Sequence, residues 1–335
     1  MTLPSTSLEP ALPDAKGPLS AAIIELLTGT RATVTGFPVA DTDPYGRDLQ
    51  LALYVCYELA YRGFAAVDPE WEWNPELLRL RALLERHFIA AVQSEVGDIG
   101  PDDTAAAEMD ALSVEPVDGE GLSYYLRDEG TWEQMRDYFV HRSLYHLKEA
   151  DPHAFAIPRL TGQAKASFVA VEFDEYGAGR GERIHQQLFA DLMAAADLDD
   201  RYLAYLGDVP AETLAMVNLM SYFGLHRSMR GAAIGHFAAT EITSSPGSRR
   251  LAEALERMGA PQPCIAFYRE HVEADAVHEQ VLRADVVGEM VASEPHLEAN
   301  IVFGMRALDV VENRFADHVM TSWKAGRSSL SRPLS

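Results

Sequence analysis

Residues 267–287, FYREHVEADAVHEQVLRADVV, set His271, Asp275 and His278 at positions i, i+4 and i+7. At about 100° per residue these three fall within an arc of roughly 60° on one helix face. One helix therefore aims two imidazoles and a carboxylate at a single point. Upstream, residues 181–193 read GERIHQQLFADLM, with Glu182 and His185 at i and i+3. That is the Glu-x-x-His unit with which carboxylate-bridged helix bundles hold paired metals. Glu149 and Glu175 extend the set to seven candidate ligands on three apolar helical segments. One Glu or His in a helix is usually solvated or structurally satisfied. Seven on faces otherwise made of Phe, Val, Leu and Ala are different, because an unpaired buried charge costs several kcal/mol and a shared metal satisfies all of them together. Mixed imidazole and carboxylate donors suit iron or manganese.

The rest of the chain agrees with a globular helical protein. Its 335 residues are 47% hydrophobic, enough for a sizeable core. No run of about 18 apolar residues occurs, and the start, MTLPSTSLEPALPDAKGPLS, lacks a basic and apolar leader, so a cytoplasmic location is expected. Cys56 and Cys264 lie in apolar stretches and read as two buried thiols, too few for a disulfide framework or a cysteine zinc site. With 51 acids against 28 bases, the net charge of −23 argues against nucleic acid or an anionic membrane as partner. A cationic substrate would be attracted.

Apolar positions recur at helical spacing from LSAAIIELL onward, and no segment alternates for long, so the fold class is all-α. Residues 1–18 read as a mobile tail, 19–125 as a helical extension and 126–325 as the core. Pro75 suits a first helical turn, a loop is expected over about 97–120, and Thr131 with Glu133 starts a long helix. AETLAMVNLMSYFGLH is apolar on most faces, which puts it at the centre of a bundle. The spacing of Gly177, Gly179 and Gly181 is not that of a dinucleotide fingerprint; it weakens the local helix by about 1 kcal/mol per glycine.

Several short motifs in order resemble the heme-oxygenase-like di-iron oxidases, often labelled iron-containing redox enzymes. They are HLKEADPHAFAIPRL with Glu149, EFDEYGAGRGERIH with Glu175, Glu182 and His185, GHFAATEI, and EHVEADAVHE with His271, Asp275 and His278. The resemblance covers roughly residues 130–322. It implies a heme-oxygenase-like bundle in which Glu149, Glu182, His185, His271, Asp275 and His278 hold two Fe(II) per chain. Glu175 would be the extra carboxylate of the N-oxygenating branch, with a catalytic part. It implies O₂ as co-substrate, an external electron donor, and oxidation of an amine or basic amino acid such as lysine or arginine to hydroxylamine or nitro products.

Oxidative carbon–carbon cleavage is the alternative outcome for the same site. A ferritin-like metal-binding protein would normally repeat Glu-x-x-His on two helices, which this chain does not. A cofactor-free, thiaminase-like hydrolase would not need seven metal-type residues. Arg227 and Arg230 in FGLHRSMRG are candidate contacts for a substrate carboxylate, and Glu241 for an Arg partner or a substrate ammonium. His141, His146 and His153 read as packing or supporting residues, and Tyr145, Tyr176, Tyr222 and Tyr268 as core groups with satisfied hydroxyls. The extension would complete a substrate pocket or a homodimer interface.

Overall fold

The computed structural model describes residues 9–33, 39–115 and 119–334. Residues 1–8 of the expected tail lie outside the described residues. Residues 9–17 are tied to the fold: the Pro10 carbonyl accepts from Ala65 N, and Leu12 packs on the core.

Among the described residues there are helices and no strands. The N-terminal part supplies α1 (Pro18–Leu27), α2 (Arg47–Glu58), α3 (Pro75–Val96), α4 (Ala105–Leu112) and α5 (Leu122–Asp128). Pro75 does open α3, behind an Asn74 side chain that accepts from two backbone amides. The expected loop near 97–120 contains α4, started by a Thr104 cap. The bundle continues with α6 (Trp132–His146), α7 (Asp151–Ala154), α8 (Gly162–Glu175), α9 (His185–Ala195) and α10 (Ala211–Leu225). It closes with α11 (Arg230–Met258), α12 (Gln262–Val281), α13 (Glu289–Ser293) and α14 (Glu298–Lys324). Thr131 caps α6 in a reciprocal box with Gln134, the residue after the expected Glu133.

One apolar core runs through α1, α2, α3, α6, α9, α10 and the far ends of α12 and α14, so the N-terminal helices and the bundle share their interior. α10 is buried on nearly every side. α11 crosses α14 at glycines: a Cβ on Gly235 would overlap the Ile301 carbonyl, and one on Gly304 would overlap the Ala232 carbonyl. This close crossing fixes α11, which carries Glu241. The structure runs one helix, α11, through the Pro246–Gly247 pair and breaks the preceding apolar stretch at His226. Losing the Pro246 N–H removes only one helical hydrogen bond, and packing along both halves of α11 outweighs it. After α12 the coil widens into a π-helical stretch, Leu282–Gly288. No helix among the described residues is long and apolar enough to cross a membrane. Cys56 and Cys264 are buried and unpaired, as expected.

Candidate metal centre

α8 and α12 each bury several ionisable residues while exposing a large apolar one. On α12, His271, Asp275 and His278 are at most 5% exposed while Val277 is 60% exposed. On α8, Glu172 and Glu175 are buried while Phe173 is 53% exposed. At these positions an ordinary amphipathic helix does the opposite. Something at the centre of the bundle must therefore offset the cost of burying these acids and imidazoles.

Two groups of potential ligands lie side by side. Glu149, His185 and His271 each offer an atom within 4.8 Å of the others, and so do Glu175, Glu241, Asp275 and His278. Glu175 joins the groups. Its Oε2 lies 2.8 Å from His185 Nδ1, and its Oε1 lies 3.3 Å from His278 Nδ1. Glu241 Oε2 is 3.2 Å from the same His278 nitrogen, and Glu149 Oε1 is 3.6 Å from His271 Nε2. The His185 and His271 rings are 4.5 Å apart.

His278 Nδ1 and Glu241 Oε2 are hydrogen bonded, whereas several other atoms of the two groups have no hydrogen-bond partner and could face a common cation. His185 Nδ1 and Glu175 Oε2 are close, yet they are not aligned for a hydrogen bond. Glu149 Oε2, His271 Nε2 and Asp275 Oδ2 are likewise buried without a hydrogen-bond partner. His271 Nδ1 sits 2.8 Å from the Phe267 carbonyl, one turn back, which fixes Nδ1 as the donor and leaves Nε2 its lone pair toward the cluster. His146 Nδ1 lies 2.8 Å from Glu149 Oε1, its ring held by Phe189 and Phe267. Four carboxylates and three imidazoles make a donor set that fits iron.

Without metal the set balances its charge with protons. Burial opposes ionisation of Glu175, but His185 and His278 outweigh it and hold the carboxyl down at about 2. Burial likewise opposes the charged form of His271 and His278, but the facing carboxylates lift them to about 10 and about 11. Burial, with Asp275 beside it, keeps Glu241 well above the usual range. Metal binding at neutral pH must then displace protons.

Of the seven residues expected from sequence, six are in the two groups: Glu149, Glu175, His185, His271, Asp275 and His278. Glu182 is not. Gly177 and Ala178 adopt left-handed backbone, residues 177–183 form two short 3₁₀ turns, and α9 begins only at His185. The helical i, i+3 relation that would have aligned Glu182 with His185 is therefore absent, and Glu182 is exposed. Glu241, expected as an Arg partner or a substrate contact, stands in the second group instead. Its position in the apolar run GHFAATEI was the available signal.

Arg227 and Arg230 are not gathered there either. Arg230 pairs with Glu294, Arg227 is exposed on a turn, and neighbouring His226 lies 3.1 Å from Glu85. His141 is bound between the Thr213 and Ser329 hydroxyls, and Tyr176 OH bonds Asp151. Tyr268 departs from expectation, its buried hydroxyl having no hydrogen-bond partner. Glu172, buried on α8 three residues before Glu175, is not among the sequence candidates. Burial, then Glu175 and Glu241, push its carboxyl up to about 9.

Comparison with known proteins agrees with this centre. The nitrosourea synthase of Streptomyces achromogenes subsp. streptozoticus is 23% identical over 221 residues, covering 64% of this chain and 46% of the relative. The chain thus spans about half the length of that relative. A family model for the iron-containing redox enzymes matches residues 136–311, from within α6 into α14, and so takes in all seven gathered residues. The chain, an all-α protein with this buried carboxylate and imidazole centre, belongs to the iron-containing redox enzyme family.

Proposed function

We propose that this protein is an O₂-dependent di-iron N-oxygenase that oxidises the nitrogen of an amine or basic amino acid, with electrons from an external donor. The observation that carries the reading is Glu175, whose two oxygens face ligands of two different groups. Such a carboxylate can span two ions, whereas a site for one metal has no use for it. Glu149, His185 and His271 would hold one iron, and Glu241, Asp275 and His278 the other.

Iron, when bound, supplies the electrons and Lewis acidity that O₂ activation requires. The chain's own residues do the rest. The second group carries three carboxylates with one imidazole, and that negative charge favours the more oxidised, more positive state of whatever metal it holds. Burial of all seven residues excludes bulk water from the reacting atoms. Gln186, next to His185, donates to the Glu149 carbonyl and to Asp151 Oδ1, and Tyr176, next to Glu175, donates to the same oxygen. Three ligand-bearing segments are thereby held to each other. The similarity to an enzyme named nitrosourea synthase, a compound class with an N–N=O group, supports nitrogen as the atom oxidised.

The test is anaerobic loading with Fe(II), then ¹⁸O₂, a reductant and a panel of basic amino acids, with products read by mass spectrometry. The reading expects ¹⁸O on substrate nitrogen. Fragmentation to an aldehyde or alkene with no N–O product would replace it by oxidative carbon–carbon cleavage.

A further inference from the structure

Three buried polar side chains lie near the proposed ligands and are not among them. Glu172 is 2% exposed, and neither of its carboxylate oxygens makes a hydrogen bond. His153 on α7 and His236 on α11 are buried as well, and none of their four ring nitrogens is hydrogen bonded. Buried polar groups in folded proteins are nearly always paired, so three unpaired in one neighbourhood point to a ligand.

They do share a neighbourhood. The two imidazoles are 5.8 Å apart, and His153 stacks on Phe237 at 4.3 Å. Phe237 meets Phe168 of α8 edge-on at 5.6 Å. Phe168 precedes Glu172 by one turn on α8, and Phe237 precedes Glu241 by one turn on α11, so each aromatic shares a helix face with its acid. The ring contact packs the α8 turn before Glu172 against the α11 turn before Glu241, with His153 stacked on it, and Glu172 and His153 both interact electrostatically with Glu175. Asp151 and Tyr176, which both interact electrostatically with Glu172, also line an open surface cleft of about 410 Å³ between α7 and the end of α2, whose lining does not itself include Glu172, His153 or His236.

We propose that Glu172 anchors the cationic end of the substrate, a guanidinium or primary ammonium, and that His153 and His236 accept its further N–H groups. This rests on the N-oxygenation reading and names the substrate class for it. Carboxylate is the natural acceptor for either cation, and a planar guanidinium can engage both of its oxygens. Neutral imidazole offers one lone pair per ring, which suits a donor-rich ligand.

The experiment is equilibrium dialysis of radiolabelled L-arginine and L-lysine against the anaerobic Fe(II)-loaded protein, with L-citrulline and L-norleucine as uncharged counterparts. The parent is expected to bind at least one cation ten times or more tighter than its counterpart. Glu172→Gln should weaken that binding about thirtyfold or more and leave the counterpart unchanged, as loss of one partner of a buried charge pair does. His236→Gln, with fold confirmed by circular dichroism, should weaken it by a smaller factor. Equal affinity for arginine and citrulline, and for lysine and norleucine, in the parent would overturn the proposal without any variant. So would unchanged cation binding in a folded Glu172→Gln protein. Glu172-dependent binding with no N–O product under O₂ would keep the anchor and remove the proposed chemistry; N–O product with Glu172-independent binding would do the reverse.

Discussion

Replacing Glu175 by Gln tests the centre where its two halves meet. Glu149, Glu175, Glu241 and Asp275 carry four negative charges when ionised, and two Fe(II) ions with three neutral imidazoles would balance them. The substitution keeps the side-chain shape and leaves one positive charge uncompensated among residues none of which is more than 6% exposed. Removing one partner of a buried charge pair costs about 3–5 kcal/mol. At about 1.4 kcal/mol per tenfold, metal affinity should fall by roughly two to four orders of magnitude. Because Oε2 faces His185 and Oε1 faces His278, both ions should be weakened. Asp275→Asn changes one group only and should chiefly weaken one ion. Anaerobic Fe(II) dialysis with elemental analysis, and Co(II) titration followed by absorbance, measure affinity and stoichiometry. A folded Glu175→Gln protein that binds two metals with the parent's affinity would refute the bridging role.

Three further outcomes follow from the packing and the charges. Lys148, beside Glu149 in sequence, is buried with Glu58 of α2 at 3.1 Å, and Tyr202 donates to that carboxylate. Lys148→Met should lower unfolding stability by about 3–5 kcal/mol, and adding Glu58→Gln should recover part of it, both read by urea denaturation. Gly304→Ala should cost about 1–3 kcal/mol or more by forcing α14 off α11, seen as a lower Tm, while Gly247→Ala, with open space around it, should cost far less. Burial holds His153 at about 4 and His236 at about 3. Below about pH 6.5 the unfolded chain takes up protons that these folded histidines refuse, so stability falls with pH by up to ~1.4 kcal/mol per unit for each, until their folded values are reached. His236→Leu should flatten the loss between pH 6.5 and 4; an unchanged slope would mean that His236 is not held neutral.

The parts of this architecture that rest on local periodicity were legible in the sequence. The i, i+4, i+7 placement of His271, Asp275 and His278 survives because α12 is an uninterrupted helix through all three. Glu182 and His185 rest on the same arithmetic, and it does not hold there, because Ile184 between them is extended and α9 begins only at His185. Glu241 was visible as an acid on an apolar stretch, but its assignment depended on which helix α11 faces, and that is set by the distant glycine crossing with α14. Glu172 sits in an EFDE run with three carboxylates, and only the packing of α8 shows that Glu172 and Glu175 are buried while Asp174 is exposed, its Oδ2 3.5 Å from His278 Nε2. The continuity of α11 through Pro246 likewise needs tertiary contacts that no local rule contains.

The central claim is that one buried set of residues holds two irons close together. Mössbauer spectroscopy of protein loaded anaerobically with ⁵⁷Fe(II), combined with iron and protein quantification, tests it most directly. The account predicts two ferrous ions per chain in nitrogen and oxygen coordination, converting to a coupled diferric pair on exposure to O₂. A single iron per chain, or two that remain magnetically independent after oxidation, would contradict it.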